Sequence, residues 1–173
     1  MIKKIFLLVF CIIALSCSSD KDNNASTEQP VAFYSGLNVN YNSFSPGSGN
    51  QFLRTILYEG VNNGASNKRV FRLSNNPASS QVPDEELEFS IFYPASQSSI
   101  DGTYVFNNSG ISSENYAQGH YTIGSSSYYL TGSIKITYFA NNSYKLELIT
   151  VKANDFSSAL QMPVTGYCQG VFY

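Results

Sequence analysis

The chain has no tryptophan, one histidine, three cysteines and few charges, which make up only 13% of its 173 residues. Each shortage excludes something. A Ser-His-acid triad would have to run through His120, and strand phase places that residue with Gln118 and Thr122, away from Ala117, Gly119 and Tyr121. Serines are too numerous to discriminate. A zinc site needs three or four His, Cys or carboxylate ligands, so no metal and no cofactor is expected. Cys11 lies in an apolar leader and Cys17 at its end, which leaves Cys168 alone and rules out an intramolecular disulfide. Lys68, Arg69 and Arg72 form the only basic cluster. A surface that tracks phosphates needs many more cations, which argues against nucleic acid as a partner. There is also no glycine-rich phosphate loop leading into a helix.

What is present begins at the N-terminus. Lys3 and Lys4 precede an uncharged apolar run of 11 residues, Ile5 to Leu15. A membrane-spanning helix needs about 17–25 such residues; this run has the length of a signal h-region, about 7–15. Small Ser16 stands before Cys17, whereas bulky Phe10 before Cys11 makes a poor cleavage site. Leu15-Ser16-Cys17 resembles the lipobox of bacterial lipoproteins, with one departure: Ala14 holds the place three before the cysteine where a large aliphatic residue is usual. The resemblance implies cleavage before Cys17 and lipidation of its thiol by acyl chains of the palmitate kind, and more than one chain suffices for stable attachment to the membrane. The segment Ser18-Ser19-Asp20-Lys21-Asp22 resembles the acidic surface-export tag of Bacteroidota lipoproteins. That implies an outer-membrane location with the domain facing outward. Between Ser18 and Pro30 the only aliphatic residue is Ala25, too little apolar area to offset chain entropy. The expected organisation is a signal peptide over residues 1–16, lipidated Cys17 with a flexible tether over 17–30, and one domain over 31–173.

That domain reads as strands throughout. Tyrosine (13) and phenylalanine (12) are abundant, Gly, Ser and Asn punctuate, and no segment sustains a 3.6-residue apolar period. Leu130, Ile134 and Ile136 alternate with Thr131, Ser133, Lys135 and Thr137. Asn141-Asn142-Ser143 turns the chain, and Tyr144, Leu146 and Leu148 alternate with Lys145 and Glu147 on the return. Alternation of this kind marks an antiparallel sheet with one face on a core. Leu87, Phe89, Ile91 and Tyr93 repeat the pattern. Further strands fit residues 31–41, 51–59, 69–73, 103–106, 116–123 and 164–172. About nine strands with short turns predict an antiparallel β-sandwich, with an up-and-down lipocalin-like barrel as the alternative. The loops at 41–50, 60–67 and 74–85 favour the sandwich, because they are long enough to cross between sheets. Residues 154–161 have the caps of a short helix, Asn154 or Asp155 at the start and Pro163 beyond the end.

The region Gly102 to Tyr173 is similar to lipoproteins of the Bacteroidota. Gly102-Thr103-Tyr104, the run Leu130 to Ile136, Tyr144-Lys145-Leu146-Glu147-Leu148 and Thr165-Gly166-Tyr167-Cys168-Gln169-Gly170 carry that similarity. These are signatures of hairpins, so the resemblance implies location and an all-β fold and brings no catalytic residue.

Candidate chemistry is sparse. Asp84, Glu85, Glu86 and Glu88 form the densest acid run, but the spacing lacks a calcium-loop pattern, and Glu86 and Glu88 read as a solvated strand face. Glycoside hydrolysis needs a carboxylate pair about 5–10 Å apart. Glu59, Asp101, Glu114, Glu147 and Asp155 cannot be paired from sequence. The tyrosines hold more promise: an outward row drawn from Tyr93, Tyr104, Tyr116, Tyr121, Tyr128, Tyr129, Tyr138 and Tyr144 would offer flat apolar faces with hydroxyls. Two function classes follow. One is a surface-anchored binding or accessory module for a glycan, a protein or a small apolar ligand. The other is a hydrolase whose carboxylate pair is unidentified.

Overall fold

The computed structural model describes residues 30–77, 84–109 and 115–173. The signal segment, Cys17, the tether up to residue 29 and Glu114 lie outside them. Eleven strands follow one another: β1 (Tyr34–Ser35), β2 (Leu37–Val39), β3 (Asn42–Phe44), β4 (Leu53–Val61), β5 (Ser66–Ser74), β6 (Glu85–Pro94), β7 (Gly102–Val105), β8 (Tyr116–Ile123), β9 (Ser126–Tyr138), β10 (Ser143–Asn154) and β11 (Gln161–Val171).

All belong to one antiparallel sheet in the order β3-β2-β11-β10-β9-β8-β6-β5-β4. Strand β7 pairs with β9 beyond the end of β8, and β1 pairs with β11 beside β2. The sheet curls until its halves face each other. Phe71 of β5 meets Tyr144 of β10 edge-on at 5.0 Å, although three strands separate them in the sheet. The chain beyond β11 also meets the edge strand β4: the Tyr173 N–H donates to the Leu53 carbonyl at 3.1 Å, and the Thr55 N–H donates to the Tyr173 carbonyl at 2.7 Å. Curling solves the problem of the apolar face, because an open sheet of this width would leave it wet.

The alternation read from the sequence holds. Ile134, Ile136, Leu146 and Leu148 are buried, whereas Lys135 is exposed and Thr137, Lys145 and Glu147 are half-buried on the other face. Each fully buried aliphatic contributes about 1.5–3 kcal/mol. Registers Leu146↔Ile136 and Leu148↔Ile134 place all four against one interior. Cys168 is also fully buried, and burial pushes its thiol up to about 12.

Tight turns come from asparagine. Asn62-Asn63 and Asn141-Asn142 have φ of 53°, 59°, 51° and 58°, the left-handed pairs that two-residue hairpin turns require. The 60–67 segment therefore folds as a hairpin between neighbours β4 and β5, and the chain from 74 to 85 likewise links neighbours β5 and β6. The 60–67 segment thus does not cross between layers, contrary to the sequence expectation, and residues 78–83 of the other loop lie outside the described residues. Only the segment between β3 and β4 joins distant parts of the sheet. Residues 154–161 form no helix either. Strand β10 runs to Asn154, and Asp155 closes a tight turn by accepting from the Ser157 N–H at 3.0 Å and the Ser158 hydroxyl at 2.8 Å. The residues that read as an N-cap thus cap a turn, because cross-strand pairing claims both flanks.

Strand β10 carries a bulge. Its register slips between Leu148 and Val151, and Thr150 adopts φ 50°. Glycine at 132 lets the β9 backbone approach it: a Cβ there would lie 2.8 Å from the Thr150 carbonyl carbon.

Candidate functional site

An inward row of side chains must end where its strand ends, and there a polar group can face inward and still meet water. Two such mouths stand out among the described residues. The registers put Glu85, Ile123 and Ser126 together at one end; at the other, Pro94 pairs with Ser66 and Tyr138 with Tyr144.

The first mouth opens on a cavity of about 390 Å³ lined by Asn40, Asn42, Ser43, Glu85, Tyr121 and Tyr128, with Val39, Ile123 and Met162 as its apolar wall. Glu85 shares the inward phase of Leu87 and Phe89. Its Oε1 accepts from the Tyr121 hydroxyl at 2.5 Å, and its backbone N–H donates to Asn75 Oδ1 at 3.0 Å. Burial and the bond to Glu85 both hold the Tyr121 hydroxyl well above the usual tyrosine range. The Tyr121 and Tyr128 rings stack at 5.9 Å. The carboxylate is thus oriented by one tyrosine while a second presents ring surface beside it. That combination binds hydroxyls and holds a flat apolar face.

The second mouth holds a cavity of about 230 Å³ lined by Arg69, Tyr93, Ile100, Tyr138, Asn142 and Tyr144, with Ser98 and Ser99 at the loop. Tyr104 donates its hydroxyl to the Ile100 carbonyl at 2.7 Å and so pins that loop. Burial pushes Tyr104 up to about 12, and burial also raises Tyr144. Arg69 lies inward with Phe71 and Leu73, its guanidinium 5.5 Å from the Tyr144 ring centre. Its Nε is sealed from solvent and has no hydrogen-bond partner among the described residues. A buried donor left this way costs about 1–3 kcal/mol.

The residues singled out in the sequence are distributed unevenly over these sites. Tyr93, Tyr121, Tyr128, Tyr138 and Tyr144 line the mouths, and Tyr104 supports one of them. The expected outward row is not formed: Tyr116 is buried against Phe92 at 4.4 Å, and Tyr129 packs on Phe156 at 4.9 Å. His120 is exposed between Gln118 and Thr122, as its phase implied. The acid run divides. Glu88 pairs with Arg72 at 2.6 Å across β5 and β6, burial raises Glu86, and Glu85 turns into the first mouth.

Three of the remaining acids have partners other than a second carboxylate. Glu147 binds Lys145 at 3.1 Å, Asp155 sits in its turn, and Asp101 accepts from the Tyr138 N–H at 2.6 Å. The first cavity holds one carboxylate and the second none, among the described residues. No group of three His, Cys, Asp or Glu side chains gathers to hold a metal ion among them. Glu85 and Arg69 are the site residues that the sequence reading missed. Compared with known protein families, with curated proteins and with solved structures, the chain gives no match.

Proposed function

We propose that this chain is a lipid-anchored outer-membrane protein whose β-domain binds a glycan unit in the Glu85 mouth. The observation that carries the reading is the Glu85 carboxylate, oriented by Tyr121 at 2.5 Å, with Tyr128 stacked alongside and Asn40, Asn42 and Ser43 on the facing rim. A carboxylate and amides accept and donate to sugar hydroxyls, and a tyrosine ring covers the apolar face of a pyranose. The cavity of about 390 Å³ is of the size that takes a small ligand. Geometry also favours display. The Val31 N–H donates to Ser143 Oγ at 3.1 Å, so the tether joins the domain beside Asn142, at the Arg69 end. On a tethered domain the Glu85 mouth is then turned away from the membrane.

The test is a glycan screen of the full-length protein in non-ionic detergent, followed by titration of the best hit. Glu85→Gln keeps the shape and the bond from Tyr121 but removes the charge. A hydrogen bond to a charged group is worth about 1 kcal/mol more than a neutral one, so affinity should fall roughly five- to tenfold. Tyr128→Ala should cost at least as much. Equal affinity of the wild type and both variants for the hit, or no glycan bound in the screen, would remove the reading.

A further inference from the structure

We infer that the Arg69 mouth is a second ligand site, built for a small organic carboxylate with a flat apolar body. It lies at the opposite end of the domain from Glu85 and stands independently of the glycan reading.

Among the described residues, four buried side-chain polar atoms lack a partner; three are hydroxyls, and Arg69 Nε is the only one on a charged group. Arg72 pairs with Glu88 and Lys145 with Glu147; Arg54, Lys68, Lys135 and Lys152 form no ion pair among the described residues, but of these cations only Arg69 has a sealed, unpartnered nitrogen and lines this cavity. Arg69 has no such ion pair among the described residues. The acid nearest to this rim in the loop, Asp101, is occupied, since Oδ1 accepts from the Tyr138 N–H and Oδ2 from the Ser99 hydroxyl. No carboxylate pairs with the guanidinium among the described residues, and none lines the cavity it faces.

Charge and shape narrow the ligand. One guanidinium supplies a single positive charge and a fork of parallel N–H donors, which matches a carboxylate in a bidentate pair. A phosphate dianion calls for more than one cation, and no second one lines this cavity. The walls are the rings of Tyr93, Tyr138 and Tyr144 with Ile100, a surface that favours a planar or apolar body. The volume of about 230 Å³ equals roughly seven or eight waters at about 30 Å³ each, enough for one six-membered ring with its acid group. The guanidinium carbon lies 5.5 Å from the Tyr144 ring centre, a cation–π contact that favours its place at the cavity before the ligand arrives.

The experiment uses benzoate as the probe and benzamide as its uncharged isostere, with full-length protein in non-ionic detergent. The signal is the Arg69 Nε–H resonance in a nitrogen–proton correlation spectrum. Benzoate should move that resonance saturably. Benzamide should bind roughly tenfold more weakly or worse, because it cannot form the charged fork. Arg69→Gln should lose benzoate by a similar factor, and Glu85→Gln should leave it unchanged. The inference is overturned if benzoate and benzamide bind alike, if benzoate up to its solubility leaves the Arg69 resonance in place, or if Glu85→Gln alone abolishes the effect. The first two readouts need only the wild-type protein, so an unstable variant does not obscure them.

Discussion

Replacing Gly166 by alanine tests how the N-terminal strands seal the edge of β11. Gly166 has φ 98°, and a Cβ there would lie 2.9 Å from the Gly36 carbonyl carbon and closer still to its oxygen. The neighbour is backbone, so relief requires the β1–β2 junction to move. That junction is tied down by the Gly36 N–H donating to the Tyr167 carbonyl at 2.9 Å. Two costs then add. Forcing alanine to positive φ costs about 1–2 kcal/mol. Displacing Gly36 loses a hydrogen bond worth about 0.5–1.5 kcal/mol and strands its partner at about 1–3 kcal/mol. The total is about 2.5–6.5 kcal/mol.

Gly64→Ala provides the control, because Gly64 has φ 88° and nothing within 4 Å of the added carbon. It carries only the first cost, about 1–2 kcal/mol. Thermal unfolding followed by far-ultraviolet circular dichroism reads the difference. At about 3–4 °C per kcal/mol for a domain of this size, Gly166→Ala should melt about 10 °C or more below wild type, and Gly64→Ala only a few degrees below. Equal melting temperatures for the two variants would refute the packing of β1 and β2 on β11 and leave the sheet edge open.

Three further outcomes are expected. Cys168 is buried with its thiol pushed up to about 12, above its unfolded value of about 8.5. Its contribution is full below about pH 8.5 and is lost as pH rises towards 12, by up to about 1.4 kcal/mol per pH unit. Urea unfolding should show this loss between about pH 8.5 and 10, below the range in which the buried tyrosines contribute a loss of their own, Cys168→Ala should remove it there, and native protein should resist thiol reagents at pH 8. Leu146→Asp should unfold the domain, since Leu146 is 1% exposed, whereas Lys145→Asp loses only the Glu147 pair and the Tyr167 ring contact and should cost about 1 kcal/mol in the same urea assay. Cys17→Ser should abolish labelling by radioactive palmitate and move the protein from the membrane to the soluble fraction, and a variant still extracted only by detergent would refute the lipobox reading.

The strands were legible because each has one wet face. Where both neighbours along the chain obey the two-residue period, as from Leu130 to Leu148, phase alone assigns the core. The bulge in β10 was written in the same signal. Leu146 and Leu148 face inward, then Val151 and Ala153 do, so the inward phase moves from even to odd numbers at Ile149-Thr150. The curl of the sheet was not legible. It depends on which edges meet, and the two hydrogen bonds of Tyr173 with β4 join residues more than a hundred positions apart. The short helix expected at 154–161 failed for a related reason. Caps are local signals, and the β10–β11 ladder on either side outweighs two turns of helix, which are marginal in water.

The two mouths follow from phase taken together with position along the strand. Glu85 shares the inward phase of Leu87, Phe89 and Ile91, and Arg69 that of Phe71 and Leu73. Read as members of an acid run and a basic cluster, both look solvated; read by phase, both point at the core. A charge in the middle of such a row would be buried at great cost, but a charge near its end has core on one side and water on the other. The tyrosines obey the same logic. Tyr121 buries its ring while its hydroxyl reaches Glu85, and buried Tyr144 lines the mouth beside Arg69. Polar residues in inward phase near strand ends therefore mark where a curled sheet opens, and here they give its two ends opposite charge. An acid lines one end and a base the other, and the two proposed ligand sites rest on that difference.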